Sequence, residues 1–168
     1  MKLGGNFGPG SNDTRRTVLD SLSFENRTVG FGLWSDAPEG NPIGIHIYNS
    51  VAFGNNVGFG CSDDVGVSTT TLRNDISYAN TVGNYWPYPG PDWFTHDHNN
   101  WDIPITVTDA DFAGVISAGM DGPRQADGSL PVLDFLRPAP SSSLIDAGVD
   151  IGLPYNPPYP DLGAFETE

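Results

Sequence analysis

The chain has 168 residues, with 7 Lys and Arg against 21 Asp and Glu, a formal net charge of −14 and a sequence pI near 4.1. Its 21 glycines and 15 prolines make up about a fifth of the residues where about 12% is usual, and its 17% of charged side chains falls below the customary share of about 25%. These values exclude a coiled coil or helical bundle, which needs long runs of Ala, Leu, Glu, Lys and Arg, and a nucleic-acid binder, which needs a Lys/Arg footprint for phosphate.

The same charge repels an anionic polysaccharide unless a divalent cation or a few local basic groups mediate contact, and it also serves solubility. The length suits one domain. The single cysteine, Cys61, excludes an internal disulfide framework. No stretch approaches about 18 apolar residues, so no membrane span is expected. Met1 to Phe7 lacks the apolar run of a signal peptide.

In chain order, the first pattern is a repeat. Leu19-Asp20-Ser21-Leu22-Ser23-Phe24-Glu25-Asn26, Tyr48-Asn49-Ser50-Val51-Ala52-Phe53-Gly54-Asn55 and Arg73-Asn74-Asp75-Ile76-Ser77-Tyr78-Ala79-Asn80 superpose without gaps. Each leads on to a glycine and an aromatic: Gly30-Phe31, Gly58-Phe59 and Gly83-Asn84-Tyr85. Phe24 to Phe53 is 29 residues and Phe53 to Tyr78 is 25, a period that marks a stacked β solenoid. The Leu-x-x-Leu-x-Leu frame of leucine-rich repeats is absent, and an ordinary sandwich would not repeat residue types in register. The predicted fold is therefore all-β, a right-handed parallel β-helix of about three coils.

Within each strand, Leu22 and Phe24, or Val51 and Phe53, alternate with small or polar neighbours and are expected to point inward, stacking from coil to coil. Asn26, Asn55 and Asn80 are expected at left-handed corners, their side chains hydrogen-bonded along a ladder. Each glycine before an aromatic is expected to supply a positive φ or a close backbone approach.

After Tyr85 the repeat dissolves. Residues 1–85 read as the coils and 86–168 as an irregular C-terminal tail packed on the same domain, folding over the last coil and covering its edge. Trp86-Pro87-Tyr88-Pro89-Gly90-Pro91 is an extended loop. Thr108-Asp109-Ala110-Asp111 predicts a capped short helix through about Ser117. A turn is expected at Asp127-Gly128 and a turn of helix around Ser143 to Asp146, followed by an extended Asp161 to Phe165.

Lys2-Leu3-Gly4-Gly5, Asn55 to Phe59, His98 to Asp102, Thr108 to Phe112, Gly122 to Pro131, Leu144-Ile145-Asp146-Ala147-Gly148 and Pro160 to Glu166 together resemble the C-terminal half of polysaccharide lyase family 9, over nearly the whole chain. The resemblance implies a secreted or periplasmic enzyme that cleaves uronic-acid glycans such as polygalacturonate by β-elimination. It also implies a lysine base and calcium held by an aspartate cluster. The family's lysine lies in Gly-Phe-Lys-Leu-Gly-Gly, which places Lys2 as the catalytic residue, with Met1 where the phenylalanine would be. Mapped on the repeat, Lys2 falls in the column of Gly32 and Gly60, outside the solenoid. The family's calcium aspartates belong to coils before the lysine, so that half of the site is expected from another chain or subunit, and the chain itself reads as a fragment.

The chemistry accounts for these groups. Taking the proton from the carbon beside a carboxylate builds negative charge, which a cation must neutralise while a base of lowered pKa accepts the proton. A lysine desolvated near calcium is such a base.

Further candidates come from the residues themselves. Asp63 and Asp64, in Ser62-Asp63-Asp64-Val65-Gly66, could hold calcium or stand in a solvated loop. His96, Asp97, His98 and Asp102 could chelate a transition metal or hydrogen-bond structurally. Trp34, Tyr48, Trp86, Tyr88, Trp93 and Trp101 could stack on sugar rings, with packing the default for Trp101. Arg15, Arg16 and Arg73 could hold a uronate carboxylate by a bidentate contact. The tripeptides Asn12-Asp13-Thr14 and Asn26-Arg27-Thr28 match the glycosylation pattern by chance. Two functions remain open: a small calcium-assisted lyase, or a non-catalytic β-helix or carbohydrate-binding module. A solenoid needs capped ends, so the uncovered N-terminal coil edge predicts a homodimer through that edge, or poor stability as a monomer.

Overall fold

The computed structural model describes residues 2–3, 14–33, 44–61, 70–86, 94–129 and 131–168. Short strands follow one another as β1 (Lys2–Leu3), β2 (Thr14–Leu19), β3 (Leu22–Phe24), β4 (Val29–Leu33), β5 (Gly44–Tyr48), β6 (Val51–Phe53), β7 (Val57–Cys61), β8 (Thr70–Arg73), β9 (Ile76–Tyr78), β10 (Gly83–Trp86) and β11 (Phe94–Asp97). They pair as three parallel sheets: sheet I, β1-β4-β7-β10; sheet II, β2-β5-β8-β11; and sheet III, β3-β6-β9. Each passage β2-β3-β4, β5-β6-β7 and β8-β9-β10 is one coil of a right-handed parallel β-helix, the hand that twisted parallel strands favour. The stacking continues past residue 85, because β11 adds to sheet II. Among the described residues, β2 and β3 each end their sheets on one side, whereas β4 has β1 beside it.

The repeat frame is the register of sheet III, in which Leu22 pairs with Val51 and then Ile76, Ser23 with Ala52 and Ser77, and Phe24 with Phe53 and Tyr78. The facing is the reverse of the expected one. Ala52, from the small column, packs inside with Val18, Phe31, Ile45, Ile47, Phe59 and Leu72. Val51 and Ile76, with Leu22, Phe24, Phe53 and Tyr78, face outward and are covered by the tail. The interior beside sheet III is occupied by the Phe31 and Phe59 rings, stacked at 5.2 Å, and this leaves room only for a small side chain.

The corners differ from expectation by one residue. At the first corner of each coil the left-handed residue is Asp20, Asn49, Asn74 or His98, and at the second it is Glu25, Gly54 or Ala79, directly before the asparagine. Asn26, Asn55 and Asn80 form the ladder instead. Asn55 Oδ1 accepts the Asn26 N–H at 2.9 Å, and Asn80 Oδ1 accepts the Asn55 N–H at 2.8 Å. A second ladder runs up the other corner: the Ser21 N–H donates to Ser50 Oγ, the Ser50 N–H to Asp75 Oδ1 and the Asp75 N–H to Asn99 Oδ1. Every coil thereby has backbone donors satisfied by the coil above it, as buried N–H groups require.

The glycines before the aromatics serve close approach. A Cβ on Gly58 would come within 2.5 Å of the Asn84 carbonyl, and one on Gly30 within 2.6 Å of the Gly58 carbonyl. Gly83 is out of frame with them, pairing with Val57, and a Cβ there meets nothing closer than 3.9 Å. Gly58→Ala is therefore expected to lower stability by about 1–3 kcal/mol or more through overpacking, with Gly83→Ala close to neutral. Urea midpoints of the two variants check this, and equal losses would refute the assignment.

The tail lies along the outer face of sheet III. Phe135 meets Phe24 and Phe53 with ring centroids 4.9 and 5.6 Å apart, and Phe112 meets Tyr78 at 5.5 Å. Asn74 holds the far end of the tail: its Nδ2 donates to the Val149 carbonyl, its Oδ1 accepts the Val149 N–H, and its carbonyl accepts the Gly163 N–H. The edge of the last coil is covered by residues 98–102. There Asn100 Oδ1 accepts the Ser77 N–H, and Trp101 packs on Phe59 and Tyr85.

The helix predicted through Ser117 is a single 3-10 turn at Asp109–Asp111. Asp111 caps it by accepting the Thr108 N–H, but its other oxygen accepts the Ser143 N–H and hydroxyl. Burial works to raise the Asp111 pKa, yet these hydrogen bonds hold it below the ordinary value. Phe112 and Gly114 then bridge to Pro138 and Phe135, which ends the helix. Residues 143–146 form turns, not helix, and the turn at Asp127-Gly128 is present with Gly128 at φ 87°. Among the described residues no helix is long and apolar enough to cross a membrane.

Candidate functional site

Sheet I places the backbone of Lys2 opposite Gly32, which pairs in turn with Gly60 and then Trp86. This is the column read from the repeat. Sheet II places Tyr48 and Arg73 in adjacent positions of another column, Leu19-Tyr48-Arg73-Asp97. A parallel step of about 4.8 Å separates neighbouring strands, so the phenol and the guanidinium sit one coil apart on the same face. Val18, Ile47 and Leu72, alternating with them, point into the core.

The Tyr48 ring is stacked on His46 at 5.7 Å and 9°, two residues earlier on the same strand. Burial raises the Tyr48 pKa against the pull of Arg73, and burial lowers that of His46. His46 lies in the outward column Thr17-His46-Thr71-Thr95, in which the Thr71 and Thr95 hydroxyls are 3.1 Å apart. Arg73 Nε lies 3.7 Å from Asp97 Oδ2, with both side chains nearly half exposed. The face thus offers a flat aromatic pair beside a cation and two hydroxyls. These groups can stack on a sugar ring and accept or donate to its substituents. His46 was not among the residues singled out in the sequence; its place two residues before Tyr48 is the signal that assigns it to this face.

The remaining candidates separate. Arg16 falls in the column of Ile45 and Thr70, both buried, and not in that of Tyr48 and Arg73. Arg15 stands where the pairing of β2 with β5 slips, between Thr14 and Arg16. Trp34, Asp63, Asp64, Tyr88 and Trp93 lie outside the described residues.

His96 Nδ1 is 2.6 Å from Asp102 Oδ1, and His98 Nδ1 is 2.7 Å from Asp97 Oδ1, each imidazole on its own carboxylate. Among the described residues no group of three or more His, Cys, Asp or Glu could hold a metal ion. The described residues therefore do not fit a calcium site.

The three parallel sheets with their laddered corners are the fold of pectate-lyase-type right-handed β-helices. The crystal structure of pectate lyase Pel9A matches with a TM-score of 0.75 and 24% sequence identity over 90% of this chain. The chain spans 36% of the length of that structure. No family model matches the chain, and no curated protein does. At this identity the likeness shows the fold.

Proposed function

We propose that the chain belongs to a polysaccharide lyase that cleaves a uronic-acid glycan by β-elimination, with Lys2 as the base. The observation that carries this reading is the placement of Lys2 on β1, in register with the Gly32 and Gly60 column, in a fold matched by a pectate lyase. In such a reaction the lysine amine takes the proton from the carbon beside the uronate carboxylate, and the glycosidic oxygen leaves from the next carbon. A cation supplies charge neutralisation when bound. Its ligands, whether Asp63 and Asp64 or groups of another chain, lie outside the described residues.

A second reading, a glycan-binding β-helix, is favoured by one specific observation. Tyr48, His46 and Arg73, each half-buried, share the outward face of sheet II, a different sheet from that of Lys2. Binding through that face needs no lysine.

One assay separates the two. Polygalacturonate is incubated with the protein in the presence of calcium or of a chelator, and the ultraviolet absorbance of the unsaturated uronate product is followed. The lyase reading expects calcium-dependent product that Lys2→Ala abolishes, with Arg73→Ala raising KM more than it lowers kcat. Absence of product on every uronic glycan, together with calorimetric binding that Arg73→Ala weakens and Lys2→Ala leaves intact, overturns it in favour of the binding module.

A further inference from the structure

One rung of the corner ladders carries a side chain whose chemistry differs from that of its neighbours. Asn99, Asn80 and Asn55 each use both ends of the amide on the coil beneath. Their Nδ2 atoms donate to the carbonyls of Leu72, Ala52 and Ser23, each at 3.0 Å. Their Oδ1 atoms accept the N–H groups of Asp75, Asn55 and Asn26 at 2.8 to 2.9 Å. Asp75 performs only the accepting half, its Oδ1 taking the Ser50 N–H at 2.9 Å.

Leu72 pairs with Ile47, so one step down the ladder from Asn99 brings the other terminal atom of Asp75 to the level of the Ile47 carbonyl. That atom is Oδ2. It is buried in a residue with no exposed surface and has no hydrogen-bond partner among the described residues. Two bare acceptors facing each other in the interior would leave a desolvated charge without compensation.

We propose that Asp75 is held as a neutral carboxylic acid in the folded protein, its Oδ2–H donating to the Ile47 carbonyl as the amide of Asn99 does to Leu72. The fold then stores a proton and loosens when that proton leaves. Burial pushes the Asp75 carboxyl well above its usual range, against the lowering effect of the backbone N–H contacts, and the charge of Asp102 acts in the same upward direction. The other titratable groups around it are Tyr48, His96 and Arg73. Tyr48 keeps its proton, His96 is tied to Asp102, and Arg73 faces outward against Asp97. None of them is a counter-charge bonded to Asp75.

The folded pKa lies above the unfolded value of about 3.9, so the native state binds the proton more tightly. Stability from this group is complete below about pH 4 and declines as pH rises toward the folded pKa, by up to about tenfold in the folding constant per pH unit.

Urea unfolding of the full chain and of Asp75→Asn, across about pH 5 to about pH 9, isolates the effect because every other titrating group is shared. The unsubstituted protein is expected to lose stability relative to Asp75→Asn as pH rises, by up to about tenfold per unit until the native pKa is passed. A pH-independent difference, or a loss by Asp75→Asn relative to the unsubstituted protein as pH rises, overturns the proposal. Carboxyl-carbon NMR of the unsubstituted protein gives a reading that requires no variant. One aspartate is expected to keep the protonated shift above the ordinary acid range; titration of every aspartate within that range overturns the proposal.

Discussion

Asn55→Ala is expected to destabilise the protein by about 2–4 kcal/mol, since it leaves a buried backbone carbonyl unpaired at about 1–3 kcal/mol and a half-buried N–H unpaired at the lower end of that range. Asn55 is 1% exposed. Its Oδ1 accepts the Asn26 N–H and its Nδ2 donates to the Ser23 carbonyl. Alanine removes both partners. Asn26→Ala is the control. Asn26 is half-buried at the first rung of the ladder, and among the described residues its side chain bonds other side chains, Ser23 Oγ and Asn55 Oδ1. Its loss is expected to cost about 1 kcal/mol. Urea midpoints of both variants test the directional account, and equal losses would contradict it.

Phe135→Ala is expected to cost about 3–5 kcal/mol, the usual effect of removing a buried phenylalanine. The ring is 2% exposed and lies edge-on against Phe24 and Phe53 from two successive coils. Its removal opens the seam between the tail and the outer face of sheet III. Limited proteolysis of the variant should cut first between residues 113 and 137, before the coils are attacked. Cleavage in the coils at the same rate would show that the seam is not an independent point of weakness.

The seam also shows where reading the sequence reaches its limit. The gapless superposition of three octapeptides is the register of sheet III, residue for residue. It carries no information on which face of the strand is inside, because Phe24, Phe53 and Tyr78 are apolar in either case. Alternation marks a buried face only when the opposite face meets water. Here that face meets the tail, and a one-residue difference in facing exchanges the whole set of side chains. The corners were legible in kind, since the asparagine ladder is present. The left-handed residue could not be placed from composition, because Glu25 and Ala79 occupy it without being typical of it. The helix after Thr108 was cut short by contacts distant in sequence, Asp111 with Ser143 and Gly114 with Phe135.

The candidate site was legible as far as strand positions go. Tyr48 and Arg73 open two of the superposed segments, so their shared column follows from the repeat alone. The register of Lys2 with Gly32 and Gly60 is reached through the resemblance, which sets Met1 where the phenylalanine of the aromatic corner would be. The stacking of His46 on Tyr48 and the pairing of Arg73 with Asp97 arise only once the strands are laid side by side. Arg16 keeps the offset of Leu19 and Tyr48 and so falls on Ile45, three residues before their column; the slip displaces Thr14.

The coils are unequal in length, stepping 29 residues from Asn26 to Asn55 and 25 from Asn55 to Asn80, yet the first corner takes two residues in each, 20–21, 49–50 and 74–75. Half of the difference falls in the passages from sheet I to sheet II, 34–43 against 62–69, and the rest in β5 against β8 and in the second corner. The laddered corners act as a ruler that resets the frame once per coil. A change of length between two corners therefore costs little more than loop closure, which grows slowly with length. The spacing between corners is thus free to differ from coil to coil, while Tyr48 and Arg73 stay aligned on one column.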